Sequence, residues 1–189
     1  MSNRKQVIVI TDGDEYARKT MDYLAPLFGG TCLSHLSDNP TKASSKEVME
    51  AVKSARSDLV FVLVDDAGWH GIGAGEHILI DMYKDSTIEI IGAIAVASHT
   101  KNLEWTRFTF AIDNEGNLTA NGVDKEGIPI EDVGRINGDT VYALDQIDLP
   151  IVVAIGDIGK MYGRDDIKKG SPITRKAIEL ILERGGNDE

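Results

Sequence analysis

Cysteine is nearly missing: Cys32 is the only one in 189 residues, which excludes an intrachain disulfide and any multi-cysteine zinc site. Such usage fits a reducing compartment. Histidine is scarce as well, with 4 in the chain and no activating partner evident beside any of them, so none is assigned to catalysis. Positive charge is in deficit, since 20 Lys and Arg face 31 Asp and Glu for a net charge of −11. That balance disfavours a nucleic-acid partner held by its phosphates, and docking on anionic lipid by charge alone. No apolar run approaches the roughly 20 residues that cross a bilayer. The longest, Ile90 to Ala97, contains Gly92 and predicts a buried strand. Met1 to Gln6 lead straight into the first apolar run without a signal-peptide core, so the chain is expected on the cytoplasmic side of a membrane. There is no Gly-x-Ser-x-Gly elbow, no Walker A sequence and no GxGxxG.

What is present is an ordinary globular complement, 42% hydrophobic and 27% charged, ordered in a βαβ rhythm. Val7 to Ile10, Leu59 to Val64, Ile88 to Ala97 and Ile151 to Ile155 are short, mostly β-branched and almost wholly apolar, as strands buried on both faces are. Between them, Glu15 to Phe28 with a stop at Gly29-Gly30, Glu47 to Ala55 and Gly75 to Tyr83 have helical spacing. A short strand is expected at Thr31 to His35. After His99 the rhythm changes: Arg107 to Ile112 and Asn117 to Thr119 flank a glycine turn and predict a hairpin. Gly122 to Gly138 is expected as an ordered loop and Thr140 to Leu144 as a short strand. Ser171-Pro172 predicts the start of a closing helix to Arg184, with serine as N-cap. The expected fold is α/β: three layers, a mostly parallel sheet with helices on both faces, Rossmann-like or toprim-like. A β-hairpin and loop insertion at about 105–140 belongs to one domain spanning 1–189.

Ligands of such sheets bind beyond the carboxyl ends of the strands. Those ends carry Thr11-Asp12-Gly13-Asp14-Glu15, Asp65-Asp66 and Gly156-Asp157. Carboxylates delivered to one edge by three strands either titrate abnormally or share a hard cation, so Asp12, Asp14 and Asp65, with Asp66 and Asp157 behind them, are candidate ligands of Mg²⁺ or Ca²⁺. No organic cofactor is expected. Each aspartate has a plainer reading too, because Asp favours turns and helix N-caps. His99 follows a strand end and is a candidate pocket residue. The stretch from Gly156 to Pro172 mixes glycine with both charge signs, and its Lys160, Arg164, Lys168 and Lys169, together with Arg107, are candidates to receive an anionic ligand or an acidic partner. A solvated connector is the alternative there. Trp69 to Glu76 is a glycine loop entering a helix, and Cys32 is expected in the core.

The segment Val7 to Thr20, with Asp12-Gly13-Asp14-Glu15, resembles the strand and acidic pair of the toprim domain, which implies Mg²⁺-dependent phosphoryl transfer. The toprim glutamate lies on an earlier strand, and only Met1 to Gln6 precede the pair here.

A longer resemblance runs from about Arg4 to Gly185. It is carried by Arg4-Lys5-Gln6-Val7 through Ala17, Gly92 through Thr100, Glu104-Trp105-Thr106-Arg107, Val133 through Tyr142, and Gly156-Asp157-Ile158-Gly159-Lys160-Met161 through Thr174. In that order these blocks resemble the stage V sporulation protein AE family of spore-forming Firmicutes. The resemblance implies a role in sporulation and spore germination, as an accessory to machinery that moves dipicolinic acid with calcium. It implies membrane proteins of the stage V sporulation A operon as partners, and a place in the cytoplasm or forespore, held at the spore inner membrane by them. It carries over no catalytic residues. A metal-dependent phosphoryl-transfer or hydrolytic enzyme and a small-ligand sensor are the competing expectations.

Overall fold

The structure is a computed structural model that describes residues 4–67, 72–98, 105–138 and 141–185. The first apolar run forms β1 (Lys5–Ile10), followed by α1 (Glu15–Leu24), β2 (Thr31–Cys32), α2 (Ser45–Ser54), β3 (Leu59–Leu63), α3 (Ala74–Lys84) and β4 (Ile88–Val96). Then come β5 (Trp105–Arg107), β6 (Phe110–Ile112), β7 (Leu118–Thr119), β8 (Asn121–Val123), β9 (Pro129–Val133), β10 (Arg135–Asn137), α4 (Tyr142–Asp145), β11 (Val152–Ile155) and α5 (Pro172–Gly185). The main sheet has seven strands in the order β2-β3-β1-β4-β11-β6-β7. Every pairing in it is parallel except β6 with β7. The expected α/β architecture with a mostly parallel sheet is therefore the observed one.

Alternation along β1 shows how the layers form. Val7 and Val9 face the side covered by Val48 and Val52 of α2, Ile78, Leu79 and Met82 of α3, and Ala143 and Leu144 of α4. Ile8 and Ile10 face the other side, with Ala17, Met21 and Leu24 of α1 and Ile173, Ala177, Ile178 and Ile181 of α5. A period of two on a strand buried on both faces requires an all-apolar run, which is what Val7 to Ile10 supplies. Between β1 and β4 the register shifts, so that Val7 pairs with Ile90 but Ile8 with Gly92. Gly92 is required there: a Cβ would stand 2.7 Å from Ile181 Cγ2 and 2.9 Å from Ile151 Cγ2. Its absence lets α5 lie directly on the sheet.

Several local expectations are corrected. α2 starts at Ser45 rather than Glu47, because Ser44 and Glu47 form a capping box: Glu47 N–H donates to Ser44 Oγ and Ser44 N–H to Glu47 Oε2. β2 covers only Thr31–Cys32, and a 3-10 turn at Ser34–Leu36 takes the rest of the expected strand. The expected loop at 122–138 holds most of two antiparallel ribbons, β8–β9 and β5–β10. Neither ribbon is buried on both faces, and β9 is almost wholly exposed, so no apolar run marks them. Tyr142–Asp145 is one helical turn and not a strand; Thr140 lies outside the described residues. The hairpin is present as β6–β7, and β6 adds to β11 in the main sheet. Ser171 does not cap α5, since its hydroxyl is buried with no hydrogen-bond partner. Asp165 takes that role, accepting from Ile173 N–H at 2.9 Å and Thr174 N–H at 3.0 Å.

Candidate functional site

Because β1, β3, β4 and β11 are parallel, the residues that follow them emerge at one edge of the sheet. Asp12 leaves β1 there, only 8% exposed, and its Oδ1 accepts the Asp14 N–H at 3.0 Å. Gly13 N–H donates to Asp65 Oδ2 at 3.1 Å. A Cβ on Gly13 would stand 2.5 Å from the Asp38 carbonyl oxygen and 2.9 Å from Asp65 Cβ. Glycine at this position is what seats the β1–α1 turn against the end of β3. Asp65 also accepts the Ala67 N–H through Oδ1 at 2.7 Å, and its own N–H donates to Thr41 Oγ1 at 2.8 Å.

Asp14 is the N-cap of α1, with Oδ1 accepting from Ala17 N–H at 2.8 Å. Its other oxygen accepts from Lys160 Nζ at 2.7 Å. The same ammonium stands 3.6 Å from Asp157 Oδ2 and 5.2 Å from the centre of the Tyr16 ring. Lys160 thus ties the loop after β11 to the turn after β1. Burial opposes its charge, but the hydrogen bond it donates to Asp14 and the fields of Asp157, Asp14 and Asp12 outweigh that and raise its pKa. Among the described residues no cation lies within ion-pair distance of Asp12. Burial first, then the negative charges of Asp14, Asp65 and Asp157, push its carboxyl up to about 7, with the hydrogen bond from the Asp14 N–H pulling the other way. Burial also raises Asp157, less the pull of Lys160.

The edge therefore brings Asp12, Asp14, Asp65 and Asp157 into one electrostatic group around Lys160. Asp66 serves a different purpose: its Oδ1 accepts the Gly75 N–H at 2.7 Å and caps the start of α3, which Gly73 has no side chain to do. Among the described residues, no three His, Cys, Asp or Glu side chains gather closely enough to hold a metal ion. The physical reason is division of labour: Asp14 is shared between a helix cap and an ammonium, and Asp65 between two backbone N–H groups of neighbouring turns. A hard cation with six or more oxygen ligands requires the opposite, several oxygens aimed at one point.

The remaining candidates are placed elsewhere. His99 and His70 lie outside the described residues. Arg107 Nε pairs with Asp145 Oδ1 of α4 at 3.0 Å. Arg164 Nη1 lies 3.9 Å from Glu115 Oε1, and Lys169 Nζ donates to the Gly163 carbonyl at 2.6 Å. Lys168 is exposed beside it. Cys32 is packed at the edge of the α1/α5 core, and burial pushes its thiol up to about 12, the opposite of an activated nucleophile. An apolar pocket of about 310 Å³ between α3 and α4, lined by Ile72, Ile80, Tyr83, Tyr142 and Ile147 among others, was not visible in the sequence. Asp165 was missed as well, although it is fully buried and accepts four hydrogen bonds. Nothing within a helical turn of it signals that role.

The family model described as stage V sporulation protein AE1 matches residues 6–185, nearly the whole chain. Comparison with curated proteins and with solved structures finds no match. The matched span contains every strand of the main sheet beyond the first residue of β1, and all of the carboxyl-edge group. The chain belongs to the stage V sporulation protein AE1 family and is a sporulation-related protein.

Proposed function

We propose that the protein is an accessory of the machinery that moves dipicolinic acid, with calcium, during sporulation and germination. In this reading it works by protein–protein contact with the membrane proteins of the stage V sporulation A operon, which hold it at the spore inner membrane. Family membership supports the sporulation context. The observation that carries the contact role over an enzymatic one is the state of the carboxyl edge. Asp14 and Asp157 share the single ammonium of Lys160, and Asp65 is bonded to the backbone N–H groups of Gly13 and Ala67. Metal-dependent phosphoryl transfer needs several carboxylate oxygens aimed at one cation, and among the described residues no three such side chains gather. Dipicolinate is a dianion at neutral pH and the chain carries −11, so contact with the transporter is electrostatically easier than capture of the cargo.

Affinity purification of the tagged protein from detergent-treated sporulating cells tests this. The operon's membrane proteins are expected in the eluate. A bare protein showing metal-stimulated turnover would replace this reading with the enzymatic one. Among the described residues no helix is long and apolar enough to cross a membrane. With that and the acidic balance, the isolated protein is expected not to float with phosphatidylglycerol vesicles, since each basic residue near such a surface contributes only about 1 kcal/mol. Flotation in the absence of other proteins would contradict the partner-mediated attachment.

A further inference from the structure

The geometry points to a docking surface for an acidic protein segment, formed by the loop at 156–170 and the adjacent outer face of α1, with Tyr162 at its centre. Met161, Tyr162 and Gly163 are consecutive left-handed residues, with φ of 52, 54 and 72°. For each of the two non-glycine residues this conformation carries a steric cost, because Cβ crowds the following carbonyl oxygen. Met161 recovers it, because its side chain is fully buried in the α1/α5 core. Tyr162 does not: it is 73% exposed, the most exposed of the large hydrophobic side chains among the described residues. The turn thus holds an aromatic ring outward at a cost that packing within this chain does not offset.

The turn is also pre-organised. Arg164 N–H bonds back to the Met161 carbonyl, Asp165 N–H to Lys160, and the buried Asp165 carboxylate accepts from Gly159, Ile173 and Thr174. A rigid loop gives up little conformational freedom on docking. Around it, Gly159 faces Tyr16 and Thr20 of α1, and Gly170 faces the hydroxyl of Tyr23, so two further exposed tyrosines flank the loop. Tyrosine presents a large amphipathic surface with few rotamers, and it recurs at the centres of interfaces.

Charge selects the partner. Most acidic groups around the loop are engaged, Asp14 and Asp157 by Lys160, Glu15 by Lys19, Asp166 by the Lys168 N–H and Glu115 by Arg164, while Asp22 is exposed beside Tyr23 on α1. Lys168 and Lys169 are exposed, and among the described residues no carboxylate lies within ion-pair distance of either. A chain of net charge −11 that leaves two exposed lysines without a carboxylate partner on the loop that carries exposed Tyr162 fits a segment carrying Asp or Glu together with apolar side chains.

This surface rests on the contact role proposed above and names where that contact occurs. The test compares wild type, Tyr162→Ala, the double variant Lys168→Glu/Lys169→Glu, and the control Tyr83→Ala/Tyr142→Ala on the α3/α4 side, each purified from detergent-treated sporulating cells. All four are expected to melt within a few degrees of each other, because the changed groups are exposed. Recovery of the operon's membrane proteins is expected to fall at least tenfold for Tyr162→Ala and for the double variant, and to hold for the control. A carbodiimide, which condenses an amine and a carboxyl with loss of water, is expected to link Lys168 or Lys169 to an Asp or Glu of the captured partner. Wild type that recovers none of these proteins overturns the contact role and this surface together. Wild-type recovery that persists in both variants overturns the surface alone. Capture without any lysine–carboxyl link overturns the acidic partner, and binding of phosphatidylglycerol vesicles that the double variant loses assigns the surface to lipid instead.

Discussion

Asp165→Ala is expected to destabilise the fold by about 3–5 kcal/mol, the range for breaking a buried hydrogen-bond network. Asp165 is fully buried, and its two oxygens accept from Gly159 N–H, Ile173 N–H, Thr174 N–H and Thr174 Oγ1. Truncation leaves those donors without an acceptor where water does not reach. Two of them are the first free N–H groups of α5, so the change also removes the cap and the negative charge at the positive end of a 14-residue helix. For a domain of this size 1 kcal/mol moves the melting temperature by about 2–4 °C, so a fall of about 6–20 °C is expected in a thermal melt. Asp165→Asn keeps one carbonyl oxygen for Ile173 and Thr174 but turns an amide donor toward donors, and should fall between. Ser171→Ala, by contrast, removes a buried hydroxyl that makes no hydrogen bond and should be close to neutral. A loss for Ser171→Ala as large as that for Asp165→Ala would show the capping assignment to be wrong.

Asp12→Asn is expected to stabilise the protein, and to do so increasingly as the pH rises from about 4 to 7. The Asp12 carboxyl titrates near 7 in the fold against an ordinary value of 3.8, because burial and three neighbouring carboxylates disfavour its charge. A raised folded pKa contributes stability that is complete below the unfolded value and is lost as pH climbs toward the folded one. Between about pH 4 and 7 the wild type therefore loses on the order of 1.4 kcal/mol per pH unit relative to a variant that cannot ionise, to a ceiling of about 4 kcal/mol. Asparagine retains the oxygen that accepts the Asp14 N–H. Denaturant unfolding of both proteins from about pH 3.5 to 8.5 should show stabilities that differ by a constant amount below about pH 4, diverge progressively up to about pH 7 and run parallel beyond it. A separation that does not change with pH would mean that ionisation of Asp12 is not its cause. Millimolar Ca²⁺ or Mg²⁺ supplies a second arm at pH 8, since a cation held at Asp12 raises the melting temperature of wild type and leaves that of the variant unchanged.

How much of this was legible in the sequence depended on burial. β1, β3, β4 and β11 were visible because a strand covered on both faces must be apolar at every position, and such runs are unmistakable. Their alternation with amphipathic segments sufficed for the parallel α/β architecture, and the order of several blocks sufficed for the family. The ribbons of β5, β8, β9 and β10 were not visible, because half-exposed strands of a few residues carry no distinctive pattern. α4 was missed because a single helical turn offers no period to detect.

At the site, the order of residues along the chain dictates which strand ends carry carboxylates. What each carboxylate does was decided by tertiary structure alone. Lys160 neutralises Asp14 across 146 positions of chain, Asp66 caps a helix that begins beyond the next loop, and Asp165 displaces Ser171 as the cap of α5. The physical reason is common to all three. A hydrogen bond or ion pair is settled by distances of about 3 Å in space, and where a loop folds back against a helix end, separation along the chain says nothing about which donor and acceptor will meet.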